Sequence, residues 1–376
     1  MRTNKNKLAS AMSIAMAVAS FAAISACEKA NPTAAVTMKN NITDLRLSTN
    51  SVIDTALKDI LPFKMGAAIN MTRYYTVPAY KAAAIREFNS VTAEGAMKMA
   101  ALQPTQGNFV YTDADTLVQF AQVNNMRVHG HTLVWATVPA WVNSFSGTAA
   151  QWDTLMKTHI KTVVSHFKGK VASWDVVNEG IADNGTLRDN IWHQHIGDGY
   201  IAKAFQYAHE ADPDAKLFYN DYGSEYSANR RNGINNLLRS LLATGVPVDG
   251  VGLQMHMLKT QSNAGVKAAI DSAAALGILV HISEIDIALN TTNSVSYAVT
   301  PADYTILKNL FQYTANTYVH DVPVAKQHGI TTWSVNDLYS WRRTTTSPSH
   351  PDWPVLLNDT YQHKECYGTF VYGATH

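Results

Sequence analysis

The sequence predicts an α/β protein of the (β/α)8 barrel class, the TIM barrel, in a single domain. Short apolar and β-branched runs alternate with longer stretches of helical periodicity, a pattern that is typical of parallel α/β folds. Eight such strand and helix units occupy about 320 residues, which suits a barrel with loop insertions. An open doubly wound sheet is the main alternative, but it usually has a glycine-rich turn after its first strand, and none follows here.

The predicted strands are short runs bounded by polar or turn-forming residues: 64–69, 90–94, 127–134, 172–178, 216–220, 250–256, 279–285 and 330–335. The clearest predicted helix is 151–167, in which Trp152, Met156, Ile160 and Val163 recur at three- and four-residue steps. A second helix with the same periodicity is predicted at 230–244.

The first 26 residues have the pattern of a secretory signal. Arg2, Lys5 and Lys7 precede an uncharged, mostly apolar run that ends in small residues before Cys27. This ending resembles a bacterial lipobox and predicts a lipoprotein signal peptide at 1–26, with lipidation of Cys27. The alternative is an ordinary signal peptide with an incidental Cys27. A membrane-spanning anchor is disfavoured because serines interrupt the run of about 20 apolar residues that a span needs.

The polar segment 27–50 has no hydrophobic period and predicts a flexible tether, so that the folded domain occupies 51–376. We therefore expect an exported protein on a membrane, in the periplasm or at the cell surface, held by its lipid. Lipidation of Cys27 would leave only Cys366 as a thiol, so no intrachain disulfide could form. The 46% hydrophobic content allows a large core to stabilise the domain instead.

Composition also limits the partners. Removal of the signal peptide would change the formal net charge from +1 to −2, which gives no basic field for nucleic acid. Eight Trp and seventeen Tyr residues provide stacking surfaces of the kind that bind sugars, although many such residues only fill cores.

Polar residues end most of the predicted strands, and barrel active sites are built at those ends. Caps for the following helices would explain one or two such residues, but seven strand ends carry them. They are Glu94, the segment from His131 to Trp135, Asn178 with Glu179, the segment from Asn220 to Tyr222, Gln254 with His256, Glu284 with Asp286, and Trp333.

Glu179 and Glu284 each end an apolar strand, and these two predicted strands lie on opposite sides of a barrel mouth. Retaining glycosidases use two carboxyl groups about 5–5.5 Å apart, one to protonate the leaving oxygen and one to attack the anomeric carbon. The pair therefore predicts this chemistry.

His256 is predicted to support the second carboxylate. Side-chain alternation places Glu284 and Asp286 on one strand face, and His256 on the neighbouring strand could bridge them. Such a histidine would orient Glu284 and favour its ionised form. The alternative is a buried histidine that bonds a backbone carbonyl.

A metal-dependent hydrolase is another alternative, because His129 and His131 form an HxH pair on one strand face. In metal-dependent amidohydrolases this pair resembles a feature of the first strand. Here it lies on the third strand, and the fifth strand has no histidine. We therefore predict no metal and no cofactor.

Six sequence segments resemble, in order, the signatures of glycoside hydrolase family 10, the endo-β-1,4-xylanases. They are Phe88 to Glu94 with Lys98, Pro104, Gly107 and Phe109; Gly130 to Trp135; Trp174 to Glu179; Asp249 to His256; Ile282 to Ile287; and Trp333 with Asp337, Ser340 and Trp341. Together they extend from about residue 62 to the C-terminal end. The resemblance implies endo-acting, retaining cleavage of β-1,4-xylosidic bonds.

The resemblance also implies roles for single residues. Glu179 would be the acid/base and Glu284 the nucleophile, while Asn178 would bond the sugar 2-hydroxyl. The other implied substrate contacts are Glu94, Lys98, His131, Trp135, Gln254 and His256 around the sugar, Trp333 and Trp341 above it, and Tyr222 on the leaving-group side.

Four positions depart from the family pattern. Gly95 stands where Asn is usual, Met99 where Trp is usual, Ala136 where His is usual and Val138 where Gln is usual. The Asn and Gln normally contact the second sugar on the non-reducing side, so the sequence predicts a weakened second subsite and a decorated or mixed-linkage xylan as substrate. A non-catalytic glycan-binding barrel is the alternative that is not an enzyme.

Overall fold

The computed structural model describes residues 54–344 and 349–376. The predicted signal peptide, Cys27 and the tether lie outside the described residues. Nine parallel-paired strands are present in the described part: β1 Met65–Ile69, β2 Ser90–Ala93, β3 Arg127–Val134, β4 Ser173–Asn178, β5 Lys216–Asp221, β6 Gly250–Leu253, β7 His256–Leu258, β8 Leu279–Ala288 and β9 Gln327–Thr332.

Eight of these strands close into a barrel. Pairing runs from β1 through β6 in chain order, continues from β6 to β8 and β9, and returns from β9 to β1. The short β7 pairs with the second half of β8, where His256 lies opposite Asp286. The prediction of a (β/α)8 barrel is confirmed.

Helices surround the barrel and connect successive strands. In the described ranges the α-helices are α1 Leu57–Ile60, α2 Met71–Thr76, α3 Pro78–Glu87, α4 Met99–Leu102, α5 Thr112–Val123, α6 Ala140–Asn143, α7 Ala149–His166, α8 Ile191–Ile196, α9 Tyr200–Ala211, α10 Ala228–Ala243, α11 Asn263–Ala274, α12 Pro301–Asp321, α13 Trp341–Thr344 and α14 Glu365–Thr375. Two 3-10 turns, Val324–Lys326 and Asp337–Tyr339, complete the set.

Helix α7 shows how local sequence produces this packing. Thr148 and Gln151 form a capping box that satisfies backbone N–H groups at the first turn. Trp152, Met156 and Ile160 then follow on one face and are buried in the core. Helix α7 thus packs against β3 and the neighbouring helix α9.

Four strand boundaries differ from the predicted ones by three residues, and one of them is the end of β9, which lies at Thr332 and not at 335. Met255 has a φ of 55°, which ends β6 at Leu253 and makes β7 a separate strand. Pairing with β7 extends β8 to Ala288, beyond the predicted end at 285. Strand β9 begins three residues earlier than predicted, because the polar Gln327 and His328 are held within the sheet.

In the part of the chain that the structure describes, no helix combines the length and hydrophobicity that a bilayer span requires. Cys366, on α14, is a buried free thiol, and burial raises its pKa to about 11.

Candidate active site

The C-terminal ends of the barrel strands surround a cleft with a volume of about 420 Å³. Twelve of the residues that the sequence predicted for the site line it: Glu94, Lys98, His131, Trp135, Asn178, Glu179, Tyr222, Gln254, His256, Glu284, Trp333 and Trp341. Asp286 lies fully buried beside His256. Tyr226 and Arg342 also line the cleft, and sequence reasoning missed both.

Glu284 is a buried carboxylate on β8, only 4% exposed. The Asn220 side chain donates to its Oε1 at 2.7 Å, and His256 Nε2 lies 3.2 Å from its Oε2. Burial raises the pKa of Glu284, but the hydrogen bond from His256 and the charges of His131 and His256 outweigh burial and leave the pKa below its usual value. Glu284 is therefore an ionised group at neutral pH.

His256 lies between two carboxylates, with its Nδ1 3.0 Å from Asp286 Oδ1. Burial lowers the pKa of His256, but the charges and hydrogen bonds of Asp286 and Glu284 overcome this effect and raise the pKa to about 10. The imidazole is therefore protonated, and it hydrogen bonds to Glu284 through Nε2 and forms an ion pair with Asp286 through Nδ1.

Asp286 lies between His256 and Arg342 in a series of alternating charges. Arg342 donates to its Oδ1 from Nε at 3.0 Å and from Nη2 at 2.8 Å, and Trp341 Nε1 donates to its Oδ2 at 2.6 Å. Burial raises the pKa of Asp286, but Arg342 and His256 lower it to about 2. Arg342 directly follows Trp341, which the sequence predicted for the site, and this adjacency in the sequence is the signal that could have identified Arg342.

Glu179 follows the end of β4 and is half-buried, with a φ of 57°. Positive φ is uncommon for a residue with a side chain and is typical of constrained functional positions. The Glu179 backbone N–H donates to the Asn220 carbonyl at 2.8 Å. The Glu179 carbonyl accepts a hydrogen bond from Arg188 Nε at 2.7 Å. These bonds hold the unusual conformation and aim the carboxyl group into the cleft.

Three amides connect the two glutamates. Asn178 and Gln254 donate to Glu179 Oε1 at 3.2 and 3.3 Å. The Asn220 amide that donates to Glu284 also donates to Asn178 Oδ1 at 2.9 Å. The sequence predicted Asn220 only as a polar residue at a strand end. The register of β4 and β5 places it beside Asn178, where it can link Asn178 to Glu284.

The HxH pair contacts a carboxylate. His129 Nε2 lies 3.0 Å from Asp175 Oδ1, and His131 Nδ1 lies 2.9 Å from Asp175 Oδ2. Burial raises the pKa of Asp175, but the two histidines lower it to about 2. One nitrogen of each histidine is thus engaged by Asp175, an arrangement that gives the metal-dependent alternative no support.

Aromatic rings and one ammonium group form a wall of the cleft. Lys98 Nζ lies 4.9 Å from the Trp135 ring centre and 5.9 Å from the Trp333 ring centre, within cation–π range. His131 meets Trp333 edge to face at 5.2 Å. Burial raises the pKa of the nearby Glu94, with Asn70 and Lys98 partly opposing it.

Tyr222 forms the opposite wall, after β5. Arg188 donates to its hydroxyl at 3.0 Å, and the Arg230 guanidinium lies 3.7 Å from its ring centre. Arg230 also pairs with Asp221 at 2.5 Å. Burial raises the pKa of Asp221 to about 6 against the opposing charge of Arg230, and the charge of Glu179 adds to this increase.

The four departing positions differ in environment. Gly95 and Ala136 are exposed, Val138 is half-buried and Met99 is buried. A Cβ added at Gly95 would have no atom within 4 Å, so there is open space beside it.

The fold and the cleft define a barrel protein of the glycoside hydrolase class, with two glutamates at the ends of β4 and β8. Residues 53–372 match the profile of Glycosyl hydrolase family 10, and the chain belongs to this family. The resemblance seen in the sequence motifs is confirmed.

Relatives support the same assignment. Endo-1,4-beta-xylanase A of Thermoanaerobacterium saccharolyticum is 35% identical over 352 residues, which cover 89% of this chain and 28% of that protein. The Endo-1,4-beta-xylanase of Geobacillus stearothermophilus is 36% identical over 323 residues, 82% of this chain and 95% of that protein. This chain spans only 28%, 30% and 32% of the length of three of its relatives.

Solved structures agree. The structure of GH10 from Paenibacillus barcinonensis superposes with a TM-score of 0.80 at 36% identity, covering 86% of this chain and 97% of that one. A xylotetraose complex of the Thermoanaerobacterium saccharolyticum xylanase TsXylA gives a TM-score of 0.78 at 32% identity, covering 85% of this chain and 99% of that one.

Proposed function

We propose that this protein is a retaining endo-1,4-β-xylanase in which Glu284 is the nucleophile and Glu179 the acid/base. The observation that carries the proposal is the pair of glutamates at one cleft, joined through Asn220 and Asn178. Glu284 is buried and has a lowered pKa, whereas Glu179 is half-buried, so the environments of the two carboxyl groups suit different roles. Family membership and the names of the relatives support the reaction class.

In the first step, Glu284 attacks the anomeric carbon and its carboxylate oxygen forms an ester bond with the sugar. The glycosidic C–O bond breaks, and Glu179 gives its proton to the leaving oxygen. The hydrogen bond from Asn220 leaves the other lone pairs of Glu284 free to react. Asn178, which accepts a hydrogen bond from Asn220, would bond the sugar 2-hydroxyl.

In the second step, the Glu179 carboxylate takes a proton from water, and the hydroxyl oxygen attacks the same carbon. The ester bond to Glu284 breaks and the carboxylate is restored. Each step inverts the anomeric configuration, so the product retains it.

The charges behind Glu284 alternate in sign through His256, Asp286 and Arg342. Protonated His256 keeps Glu284 ionised and orients it, while Asp286 and Arg342 keep His256 protonated and in place. We assign these three groups to positioning, because they act on the substrate through Glu284.

For the substrate we propose a β-1,4-xylan, and within that class a decorated or mixed-linkage xylan. One of the relatives is named Exoglucanase XynX, so the test must also ask whether the main chain of the substrate consists of xylose or of glucose. The open space at Gly95 and the apolar Val138 support room for a branch beside the second sugar.

We also propose that the chain is exported and held on a membrane by lipid on Cys27. The cationic start, the apolar run and the small residues before Cys27 support this location. More than one acyl chain would be needed for stable anchoring.

The test of the activity is product formation from a panel of soluble glycans by the wild-type chain and by Glu284→Gln. We expect oligosaccharides from xylan with the wild type and none with the variant. Binding of xylan without any product would instead favour the glycan-binding barrel, and products from soluble β-1,4-glucans alone would overturn the proposed substrate.

A further inference from the structure

Three histidines from three strands meet inside the barrel. They are His129 on β3, His281 on β8 and His328 on β9, and all three are buried. One ring nitrogen of each lies within 4.8 Å of one ring nitrogen of each of the others. We call them the core histidines. They lie deeper in the barrel than the cleft, since His129 precedes His131 on β3 and His281 precedes Glu284 on β8.

This position is unusual for imidazole groups. Branched aliphatic side chains fill most barrel interiors, and a buried polar atom without a hydrogen bond is costly. His281 Nε2 lies 2.9 Å from Thr331 Oγ1, but within the described residues His281 Nδ1 has no hydrogen-bond partner. His281 therefore has a ring nitrogen that is available to a ligand.

Two of the core histidines are in the protonation state that binds metals. Burial lowers the pKa of His281 and of His328 well below the usual value, and the charges of His129 and Arg127 add to both decreases. Both imidazoles are therefore neutral at neutral pH. A neutral imidazole offers a lone pair to a cation without first losing a proton.

His129 is held by an outer contact of the kind that metal ligands make. Its Nε2 lies 3.0 Å from Asp175 Oδ1, and its Nδ1 lies 2.7 Å from Ser173 Oγ. Metal-binding histidines usually bond a carboxylate or a carbonyl through their second ring nitrogen, which fixes the orientation of the ring. Asp175 would serve in this way while the Nδ1 of His129 binds the ion.

A serine hydroxyl lies among the core histidines. Ser173 Oγ is 2.7 Å from His129 Nδ1 and 3.1 Å from His328 Nε2. Tetrahedral bonds of about 2.0–2.1 Å to one zinc ion hold neighbouring donor atoms roughly 3.3 Å apart. The distances from the hydroxyl to the two nitrogens are close to this value. The ring nitrogens themselves are up to 4.8 Å apart, so binding must draw the rings together.

The donor atoms and the nearby charges select the kind of cation. Neutral imidazole nitrogens suit zinc and similar transition metals, whereas calcium and magnesium require several oxygen ligands. Asp175 is buried and ionised, and it supplies one negative charge beside His129. Arg127 opposes this charge, because its Nη1 donates to the His328 carbonyl at 2.6 Å. The nitrogen ligands must therefore provide most of the affinity, as they do for zinc.

We propose that the core histidines bind one Zn²⁺ ion, with the Ser173 hydroxyl as the fourth donor. The ion would enter while the chain folds, because all three rings are buried. It would join β3 and β4 to β8 and β9 across the barrel interior. Its role is structural, since an ion that binds only the folded chain adds to the stability of the fold.

This proposal is independent of the xylanase activity. It also differs from the metal-dependent hydrolase weighed from the sequence, which paired His129 with His131. The prediction of no metal considered that pair alone, because the core histidines lie far apart along the chain and only the barrel brings them together.

The test measures metal in the whole protein. The wild type is expressed with Zn²⁺ in the medium, washed with a chelator to remove surface ions, and analysed for zinc per chain by elemental mass spectrometry. A second preparation is expressed with Co²⁺, whose visible absorption reports tetrahedral coordination. His281→Gln and His328→Gln each remove one nitrogen ligand. His193→Gln, at a partly exposed histidine between Asp189 and Asp198, is the matched control for binding at the surface.

We expect about one zinc ion per chain in the wild type and in His193→Gln, and at least roughly tenfold less in the two core variants. The Co²⁺ preparation should show the strong visible absorption of a tetrahedral site. Wild-type protein that contains zinc should also unfold at a higher temperature than wild-type protein from zinc-depleted medium.

A wild type without zinc, or a zinc content that the core variants leave unchanged, would overturn the site. Loss of zinc in His193→Gln would assign the ion to the surface and overturn it as well. If the core variants do not fold, the Co²⁺ preparation of the wild type decides, because absorption typical of octahedral Co²⁺, or no absorption, would also overturn the proposal.

Discussion

Replacing His256 by asparagine should move the acid limb of the pH profile upward. As the proposed nucleophile, Glu284 must be ionised to attack, and the hydrogen bond from His256 is the largest contribution that lowers its pKa. Asparagine can still donate a hydrogen bond, but it carries no charge. Without the imidazolium, Glu284 is also less shielded from Asp286, and both effects raise the pKa of Glu284.

The size of the change follows from the contact. His256 Nε2 lies 3.2 Å from Glu284 Oε2, and a hydrogen bond to a charged group contributes about 1.5–3 kcal/mol. At about 1.4 kcal/mol per pKa unit, the acid limb should rise by about 1 to 2 pH units. Activity is fully present above the pKa of Glu284 and is lost as the pH falls through it, so the variant should lose activity at a higher pH than the wild type.

The assay is kcat/KM for nitrophenyl β-xylobioside from about pH 4 to pH 8, because this ratio reports ionisations of the free enzyme. Activity at neutral pH after incubation at each pH separates titration from acid unfolding. His320→Asn, at an exposed histidine that bonds a backbone carbonyl on α12, is the matched control. An acid limb that stays in place or moves down in His256→Asn would refute the assigned link between His256 and Glu284.

Three further predictions concern the glutamates, the second subsite and the anchor. Glu284→Gln should abolish turnover, whereas Glu179→Ala should slow xylan cleavage greatly and spare substrates with good leaving groups, which need little protonation; early-time NMR should show retention, and an inverted product would exclude the mechanism. Restoring Gly95→Asn with Val138→Gln should raise kcat/KM on linear xylotetraose and lower it on decorated xylan, with each neutral hydrogen bond contributing about 0.5–1.5 kcal/mol; an unchanged preference would contradict the subsite argument. Cys27→Ser should release soluble enzyme from membranes, and wild-type protein found wholly in the medium without lipid mass would contradict lipidation.

The barrel was predictable because its strands and helices carry their own periodicities. Strands β3, β4 and β8 are almost wholly buried between helices and neighbouring strands, and their apolar residues, such as Val128, Val176 and Ile282, are typical of a parallel sheet. The break at Met255 was not predictable from hydrophobicity, since Leu253, Met255 and Met257 continue an apolar pattern through it. A left-handed backbone at a methionine depends on tertiary contacts.

Some residues of the cleft could be predicted from the sequence, and others could not. Residues at strand ends could be predicted because the fold brings all strand ends to one rim. Tyr226 lies in a loop and Arg342 in the four-residue helix α13, and the sequence pattern determines the path of neither segment. Arg342 reaches Asp286 from 56 positions along the chain, and Asn220 acquires its role from a register that only strand pairing defines.

The buried charges explain why the inner rim is so polar. An isolated buried carboxylate would gain a proton, and a neutral Glu284 could not attack. A single histidine beside it would itself be a buried charge that burial tends to neutralise. Continuing the alternation to Asp286 and then to Arg342, which is half-buried at the cleft, gives each group a partner of opposite sign. Replacing buried ion pairs by apolar residues is often neutral or stabilising, but here it would remove the ionised carboxylate that we propose as the nucleophile. The arrangement is therefore best explained by the chemistry that we propose for Glu284, with stability of the fold supplied elsewhere by the packed helices.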